Sequence, residues 1–579
     1  MAAGLQIKDR RRSNRRKTTD RRARPSECFS ATCSWADEIL QEIGGSLSVT
    51  ARRLMRTQQW VQLGRLNMPT PSRYVGRKLD FARDYAAYNL LRKYADFPID
   101  LDRKGAALEA FHESEARCAA FNARGEWSYP YDPSVSLELQ VTSVLYRARA
   151  IIGRILGQLH VPRWFEECTF TSGASTRLRR KAGDPYYKLQ GTLECTANCH
   201  NLVAAYIDDC PLWAYAKCTE IGSNRSGWIS VVRGSRYTTV PKDWKTERGI
   251  TPQPEGNMLL QSGLGALIRK KLLRAGCNLN DQTVNQNLAR LAYTLGLATV
   301  DLKQASDSVT IRLCSELLPK EWLHAIMTTR TSHTLLPNGK WHQLEQVSSM
   351  GNGYTFELES LLFYGICLAV CEASDVSTEH VSVYGDDIII PSTATDTLFR
   401  VLRAASFVIN TDKSFVSGPF FESCGKHYFE GVDVTPFYIK ESLDGLETYH
   451  RLHNRAREWF IPLERVCDRL RRGVPGCLVP YDFPDTSGYW VSWDEACPSY
   501  DRKGRAWRVK SLQPKTDMHE IGSSDWGYLR ALLKPSRQER SIVGHLKGDY
   551  WCVTANKSPA PALSVSKDQY HRVSGTVHS

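Results

Sequence analysis

The chain is poor in everything that would put it in a membrane or a disulfide scaffold. Its longest apolar stretch, LLFYGICLAVC (361–371), lies between Glu359 and Glu372 and is too short to span a bilayer. The N-terminal residues have no apolar core after their charges, which argues against a secretory signal. They also lack a repeating apolar face, which argues against an amphipathic targeting peptide. No internal repeat is present. The 17 cysteines are scattered rather than set at framework spacings, so they read as free thiols in a reduced, cytosolic interior. One cluster, CTANCH, gathers Cys195, Cys199 and His200. No second ligand pair with zinc-finger spacing accompanies it, so free thiols are the preferred reading over a structural zinc.

What is present is ordinary in bulk and uneven in place. At 579 residues the chain exceeds what one core organises, which predicts several subdomains. Hydrophobic residues at 42% and charged residues at 24% are typical of a soluble globular protein. The net charge is +14, of which the first 25 residues, with ten Lys or Arg against two Asp, carry +8. The excess is therefore largely a property of an arm, expected to be disordered over residues 1–30. Such an arm is either merely solvated or binds polyanions through counterion release.

Periodicity places the elements coarsely. Residues 137–159 repeat their apolar positions at helical spacing. GWISVVRGSRYTTVPK (227–242) has the composition of a hairpin around Arg233–Gly234–Ser235, and a proline-rich connection (243–258) follows. Residues 258–273 read as a helix, and LATVD (297–301) as a short strand ending in a carboxylate. Residues 306–318 read as a helix capped by Ser306, and 355–373 as a helix apolar nearly all round and so buried. HVSVYGDDIIIP (380–391) reads as a hairpin with a two-residue turn at Gly385–Asp386, ended by Pro391. From about 440 helices are expected to dominate, starting with 449–472, and residues 556–579 read as a flexible tail.

The chemistry gathers at the turn. Asp386 and Asp387 sit between two strand-forming runs, and Asp301 ends another strand. A surface turn would explain the pair, but buried carboxylates need a partner. Three acidic oxygen donors suit a hard cation such as Mg²⁺, with Mn²⁺ as a substitute. Two such ions would activate an attacking hydroxyl and neutralise a departing pyrophosphate, the chemistry of nucleotidyl transfer. Lys242, Lys245 and Arg248 recur every third residue and could receive a triphosphate, although Asp243 and Glu247 interleave as on a solvated loop. Gly351 and Gly353 in SSMGNGYT would let backbone approach a substrate, or simply form a helix-entry loop. Lys413 in NTDKSF could protonate pyrophosphate, or be a surface lysine.

Four segments together, ATVDLKQASDSVT (298–310), SSMGNGYTFELES (348–360), YGDD (384–387) and NTDKSFVSGPFFESCGKHYFEGVDVTPFYI (410–439), closely resemble the replicase of the single-stranded RNA bacteriophages, the leviviruses. The resemblance is dense over 237–440. It implies an α+β right-hand polymerase: fingers, a palm with an antiparallel sheet and YGDD hairpin, and a helical thumb. It divides the chain into an N-terminal region and fingers (31–290, basic motif 237–258), palm (291–440), and thumb with C-terminal helices (441–555). It implies RNA-templated RNA synthesis from nucleoside triphosphates in the cytoplasm of a bacterial host. It puts metal ligands at Asp301, Asp386 and Asp387, a carboxylate near the incoming ribose at Asp307, and nucleotide contacts at Lys242, Lys245, Arg248, Gly351, Gly353 and Thr355. Glu359 stands where many wider viral polymerases have Asn, and Met350 where they have Ser. The family's partners are elongation factors Tu and Ts and, in some members, ribosomal protein S1. Two rival readings are a reverse transcriptase, against which Asp307 in place of a bulky aromatic argues, and a catalytically silent RNA-binding or capsid-associated protein.

Overall fold

The computed structural model describes residues 25–481, 483–501 and 506–514, with strand segments 543–547, 550–554 and 570–577. The basic arm up to residue 24 lies outside the described residues.

A small antiparallel sheet forms the centre. Leu297–Val300 pairs with Asp387–Pro391, which pairs in turn with Ser382–Tyr384. Alternation along the strands sends successive side chains to opposite faces. Val300, Ile388, Ile390 and Val383 enter the largest core with Leu358, Leu361 and Leu362 of helix Thr355–Ala373. Leu297 and Ile389 point the other way, onto Ala289 and Ala292 of helix Thr283–Leu295 and onto Phe421 and Tyr428 of a neighbouring sheet. Both faces are covered, so the strands read as continuous apolar runs rather than as alternating ones.

Helix Thr355–Ala373 is buried at fifteen of its nineteen positions. It lies between the sheet and helix Val141–Leu156, where a Cβ on Gly365 would come within 2.5 Å of Ile152. Helix Glu255–Arg274 flanks it on another side. Segments far apart along the chain meet in a second core: Ile39 and Leu54 from helices Pro25–Ile43 and Ser46–Arg56 pack with Leu452, Val466 and Leu470 from helices Leu446–Glu458 and Glu464–Gly473. Glu42 fastens this clasp by accepting from the backbone N–H groups of Arg465 and Val466 at 2.9 and 2.7 Å. Those donors open a helix, where a carboxylate also meets the positive end of the dipole.

Several local expectations are corrected. The chain is already helical from Pro25. Residues 227–242 are not a hairpin. Ile229–Val231 pairs with Leu193–Cys195, Ser235–Arg236 with His333–Leu335, and Thr238–Pro241 with Glu247–Ile250. Gly234 presses its backbone against the His333 carbonyl, where a Cβ would be 1.9 Å away, so the chain passes onto another strand instead of turning back. The hairpin falls later, within the proline-rich connection, because Asp243 closes a turn by accepting from Lys245 and Thr246 N–H at 2.8 and 3.0 Å. Ser306 starts only a 3₁₀ turn. Thr310 caps helix Ile311–Leu317 by accepting from Leu313 N–H at 3.1 Å. The long helix expected over 449–472 breaks between Glu458 and Glu464, around Pro462. Beyond 473 short strands prevail over helix, and Tyr570–Val577 pairs with Ala506–Pro514 where a frayed tail was expected.

Candidate active site

The sheet's register assembles the acidic cluster. Val300 faces Ile388, so the next step along both strands sets Asp301 beside Asp387. Tyr384 faces Asp387, which leaves Gly385 and Asp386 as the two-residue turn. Gly385 has φ +65°, and a Cβ there would lie 2.8 Å from the Phe356 ring. Its N–H donates to Ser360 Oγ at 2.9 Å. The turn is thereby seated on helix Thr355–Ala373, and only glycine fits between them.

Asp301 and Asp387 are each held from other elements. Asn410 Nδ2 donates to Asp301 Oδ1 at 2.6 Å, and the Asn410 N–H donates to the Asp301 carbonyl at 2.9 Å. Asp301 N–H donates to Ser414 Oγ at 3.1 Å. Asn285 Nδ2 donates to the Asp387 carbonyl at 3.1 Å, and Ser423 Oγ to Asp387 Oδ1 at 3.4 Å. Lys413 Nζ sits 3.6 Å from Asp301 Oδ2 and 3.6 Å from Glu422 Oε1.

The electrostatics are those of an anionic site that lacks enough cation. Burial, then the neighbouring Asp386 and Asp301 charges, push Asp387 up to about 7. Burial also raises Asp301, against the opposing pull of Lys413 and Asn410. Burial alone would lower the Lys413 ammonium, but Glu422 and the three aspartates win and raise it. Glu359, behind the turn, is driven well up by burial and by Asp386 and Asp307, and its buried Oε2 has no hydrogen-bond partner. Among the described residues no group of three or more His, Cys, Asp or Glu side chains is gathered so as to hold a metal ion. Asp301, Asp386 and Asp387 feel one another's charge, and their oxygens are hard donors of the kind a cation with water and substrate ligands takes.

The other expected residues spread over the surrounding elements. Asp307 is lifted to about 7 by burial and Glu115, opposed by Arg248 and Arg117 and by a hydrogen bond from Met350 N–H. Arg248 is exposed on strand Glu247–Ile250 and its charge is felt at Asp307. Lys242 and Lys245 are exposed at the hairpin's turn, with Lys245 5.3 Å from the centre of the Trp244 ring. Gly351 has φ +141°, and its Cβ would be 2.2 Å from the Thr251 carbonyl; one on Gly353 would be 2.9 Å from Ser262 N. Both glycines are thus used for close contact with the protein's own backbone. Thr355 Oγ1 donates to the Ser349 carbonyl at 2.8 Å and fixes the loop to the helix behind it. Away from the site, Cys195 and Cys199 are buried, and burial pushes the Cys195 thiol up to about 12; His200 lies against Asn201 at 3.2 Å.

Sequence reasoning missed Asn410, Ser414 and Glu422. The first two flank Lys413 inside NTDKSF-like spacing and could have been found from it. Glu422 is an ordinary strand residue with no local signal.

An antiparallel three-stranded sheet on buried helices, with two carboxylates at a hairpin turn and a third on the adjoining strand end, is the palm of a right-hand nucleic-acid polymerase. A family model described as RNA replicase, beta-chain, matches residues 53–462, and the chain belongs to that family. It is an RNA-directed RNA polymerase, the beta subunit of an RNA phage replicase. It is 40% identical over 502 residues to the RNA-directed RNA polymerase subunit beta of Escherichia virus Qbeta, covering 84% of this chain and 82% of that one. It is 36% identical over 383 residues to the RNA-directed RNA polymerase beta chain of Escherichia phage MS2, covering 64% and 68%. A solved RNA-dependent RNA polymerase of a human picorbirnavirus, an insertion-loop deletion mutant, aligns at 12% identity and TM-score 0.43 over 75% of this chain and 87% of that one, too loosely to carry any of the assignment.

Proposed function

We propose that the chain copies single-stranded viral RNA by nucleotidyl transfer at Asp301, Asp386 and Asp387, within a palm spanning residues 291–440, fingers in 31–290 and a thumb in 441–555. The supporting observation is the register that sets Asp301 beside Asp387, with Asp386 in the adjoining turn. The donor set fits a divalent cation: oxygen only, mutually repelling, and raised in pKa by burial and like charge. Two Mg²⁺ ions, or Mn²⁺ in their place, would supply Lewis-acid stabilisation of the attacking and leaving oxygens when bound.

The chain's own residues do the rest. Asp301 is kept in place by Asn410 and Ser414, so its carboxylate is oriented before substrate arrives. Arg248, Lys245 and Lys242 draw the triphosphate toward the cleft and offset its charge. Asp307 reads the ribose of the incoming nucleotide. Gly351, Gly353 and Thr355 hold the loop between fingers and palm in a fixed shape. Lys413, kept protonated by Glu422 and Asp301, gives its proton to the departing pyrophosphate. The enzyme works in the bacterial cytoplasm, joined by elongation factors Tu and Ts and, as in some members of the family, by ribosomal protein S1. No helix of the described residues is long and apolar enough to cross a membrane.

The test is template-dependent incorporation by Asp386→Asn in an otherwise folded replicase. Near-normal incorporation by that variant would remove the metal-site reading.

A further inference from the structure

Helix Val141–Leu156 carries a surface that catalysis does not use. Its inner face packs on helix Thr355–Ala373, which separates it from the central sheet. Its outer face carries Tyr146, Arg149, Gly153 and Arg154, with Arg147 beside them, at the i, i+3, i+7, i+8 spacing of one helical stripe. The helix holds no acidic residue. Past its end, Gly157 lies where a Cβ would be 3.7 Å from Lys271 Nζ, so the stripe continues onto the last turn of helix Glu255–Arg274. There Lys271 feels the like charges of Arg274 and Arg163. Among the described residues none of Arg147, Arg149, Arg154, Arg163, Lys271 or Arg274 makes an ion pair. The nearby Lys270 is paired to Glu167, and Glu321 is engaged by Leu159 N–H.

Uncompensated cations alone would be a solvated face. Four further observations point to a ligand. Tyr146 is 49% exposed yet stacked flat on Trp127, with ring centres 3.9 Å apart and planes within 7°. Trp127 is held in that stack with φ +57°, a left-handed backbone that a bulky residue adopts only when its surroundings enforce it. The surroundings are visible: Glu316 Oε1 accepts from Trp127 N–H at 2.8 Å. Arg149 lies 5.8 Å from the Trp127 ring centre, extending the platform. Finally, a Cβ on Gly153 would meet nothing within 4 Å, so no intramolecular packing requires a glycine in mid-helix, where it is unfavourable by about 1 kcal/mol relative to alanine.

We propose that this stripe is a second single-stranded RNA site, outside the catalytic cleft, that tethers template or product during copying. An exposed aromatic stack followed by a row of free cations matches a polymer with flat bases and a regularly charged backbone. The bases stack on the Tyr146–Trp127 platform. The phosphates run past Arg149 and Arg154 to Lys271, Arg163 and Arg274. The open surface over Gly153 lets the strand approach the helix closely. An acidic protein partner would use the cations but not the ring face, which is why RNA is favoured.

The test uses the intact replicase, with its accompanying subunits, and labelled oligouridylate as probe. Arg149→Ala/Arg154→Ala/Lys271→Ala should weaken binding at low salt at least tenfold. It should also flatten the dependence of log affinity on log salt by about 2, since each single-strand phosphate contact contributes about 0.7. Tyr146→Ala should weaken binding about fivefold or more with the salt slope unchanged. Arg149→Lys/Arg154→Lys should keep the slope, which a merely structural role would not predict. Incorporation on a short template at saturation should be unaffected in all three, so failure here is distinct from failure of the polymerase reading. Unchanged affinity and slope in the alanine variant would overturn the proposal. So would loss of an accompanying subunit at unaltered RNA affinity, which would mark a protein-docking face instead.

Discussion

Val300 faces Ile388 across the antiparallel pair, and that single registration sets Asp301 against Asp387 although 85 residues lie between them. A slip of one residue would turn Ile388 and Ile390 out of the core and move the aspartate as well. The buried isoleucines therefore guarantee the position of the carboxylate next to them.

From this follows the behaviour of the aspartates on substitution. Asp386→Asn and Asp387→Asn should each lower incorporation by about a thousandfold or more, equivalent to ~4 kcal/mol of transition-state stabilisation. Neither should lower the melting temperature, because each removes a repelling charge from a cluster already short of cations. Incorporation assays paired with thermal melts check both halves.

Burial, reinforced by that repulsion, sets a pH dependence. Asp307 and Asp387 titrate near 7 in the folded chain and near 3.8 when unfolded. Between those values the folded state holds more protons, so stability falls as pH rises from about 4 towards 7 and stays low above it. Thermal melts of the metal-free protein should show this fall. Adding Mg²⁺ at pH 8 should raise the melting temperature, and the rise should shrink in Asp386→Asn.

Lys413 is bound by Asp301 and Glu422 at equal distances of 3.6 Å. Lys413→Ala should reduce kcat about a hundredfold, at the low end for loss of a general acid, with KM for nucleotides little changed. The pH–rate profile should lose its alkaline limb, because the group that must be protonated is gone. Steady-state incorporation over pH 6 to 10 reads this directly.

Gly351 leaves no room for a side chain beside the Thr251 carbonyl. Gly351→Ala should destabilise the fold by about 2–4 kcal/mol from strain and overlap together. The loop joins strand Glu247–Ile250's continuation to helix Thr355–Ala373, so activity should fall too. Denaturant unfolding measures the first effect.

Arg312 and Glu316 form a buried pair at 2.8 Å, and Glu316 also accepts from Trp127 N–H and Tyr129 Oη. Glu316→Ala should cost about 3–5 kcal/mol, because it strands a buried guanidinium. Replacing both residues with apolar ones of similar volume should cost less, which a double-mutant comparison by denaturant unfolding would show.

The sequence by itself determined the Tyr-Gly-Asp-Asp hairpin, the strand before Asp301 and the buried helix 355–373, whose expected and observed limits coincide. Their signals are local: a two-residue Gly-Asp turn, an unbroken apolar run and a proline stop. The family resemblance came from these stretches, from the loop before the helix and from 410–439. Tertiary structure alone decided the rest. Ser235 and Thr238 have strand-forming neighbours, but which strand each pairs with depended on where Gly234 could touch a distant carbonyl. Glu422 became a partner of Lys413, and Glu42 a helix cap, across long stretches of chain. Trp127 and Tyr146 were brought into a stack by a backbone twist no pattern announces. Turns and buried runs are dictated by forces acting between near neighbours, so they can be read from a string of residues. Pairing, charge neutralisation and surface platforms depend on distances that exist only after the chain has closed on itself.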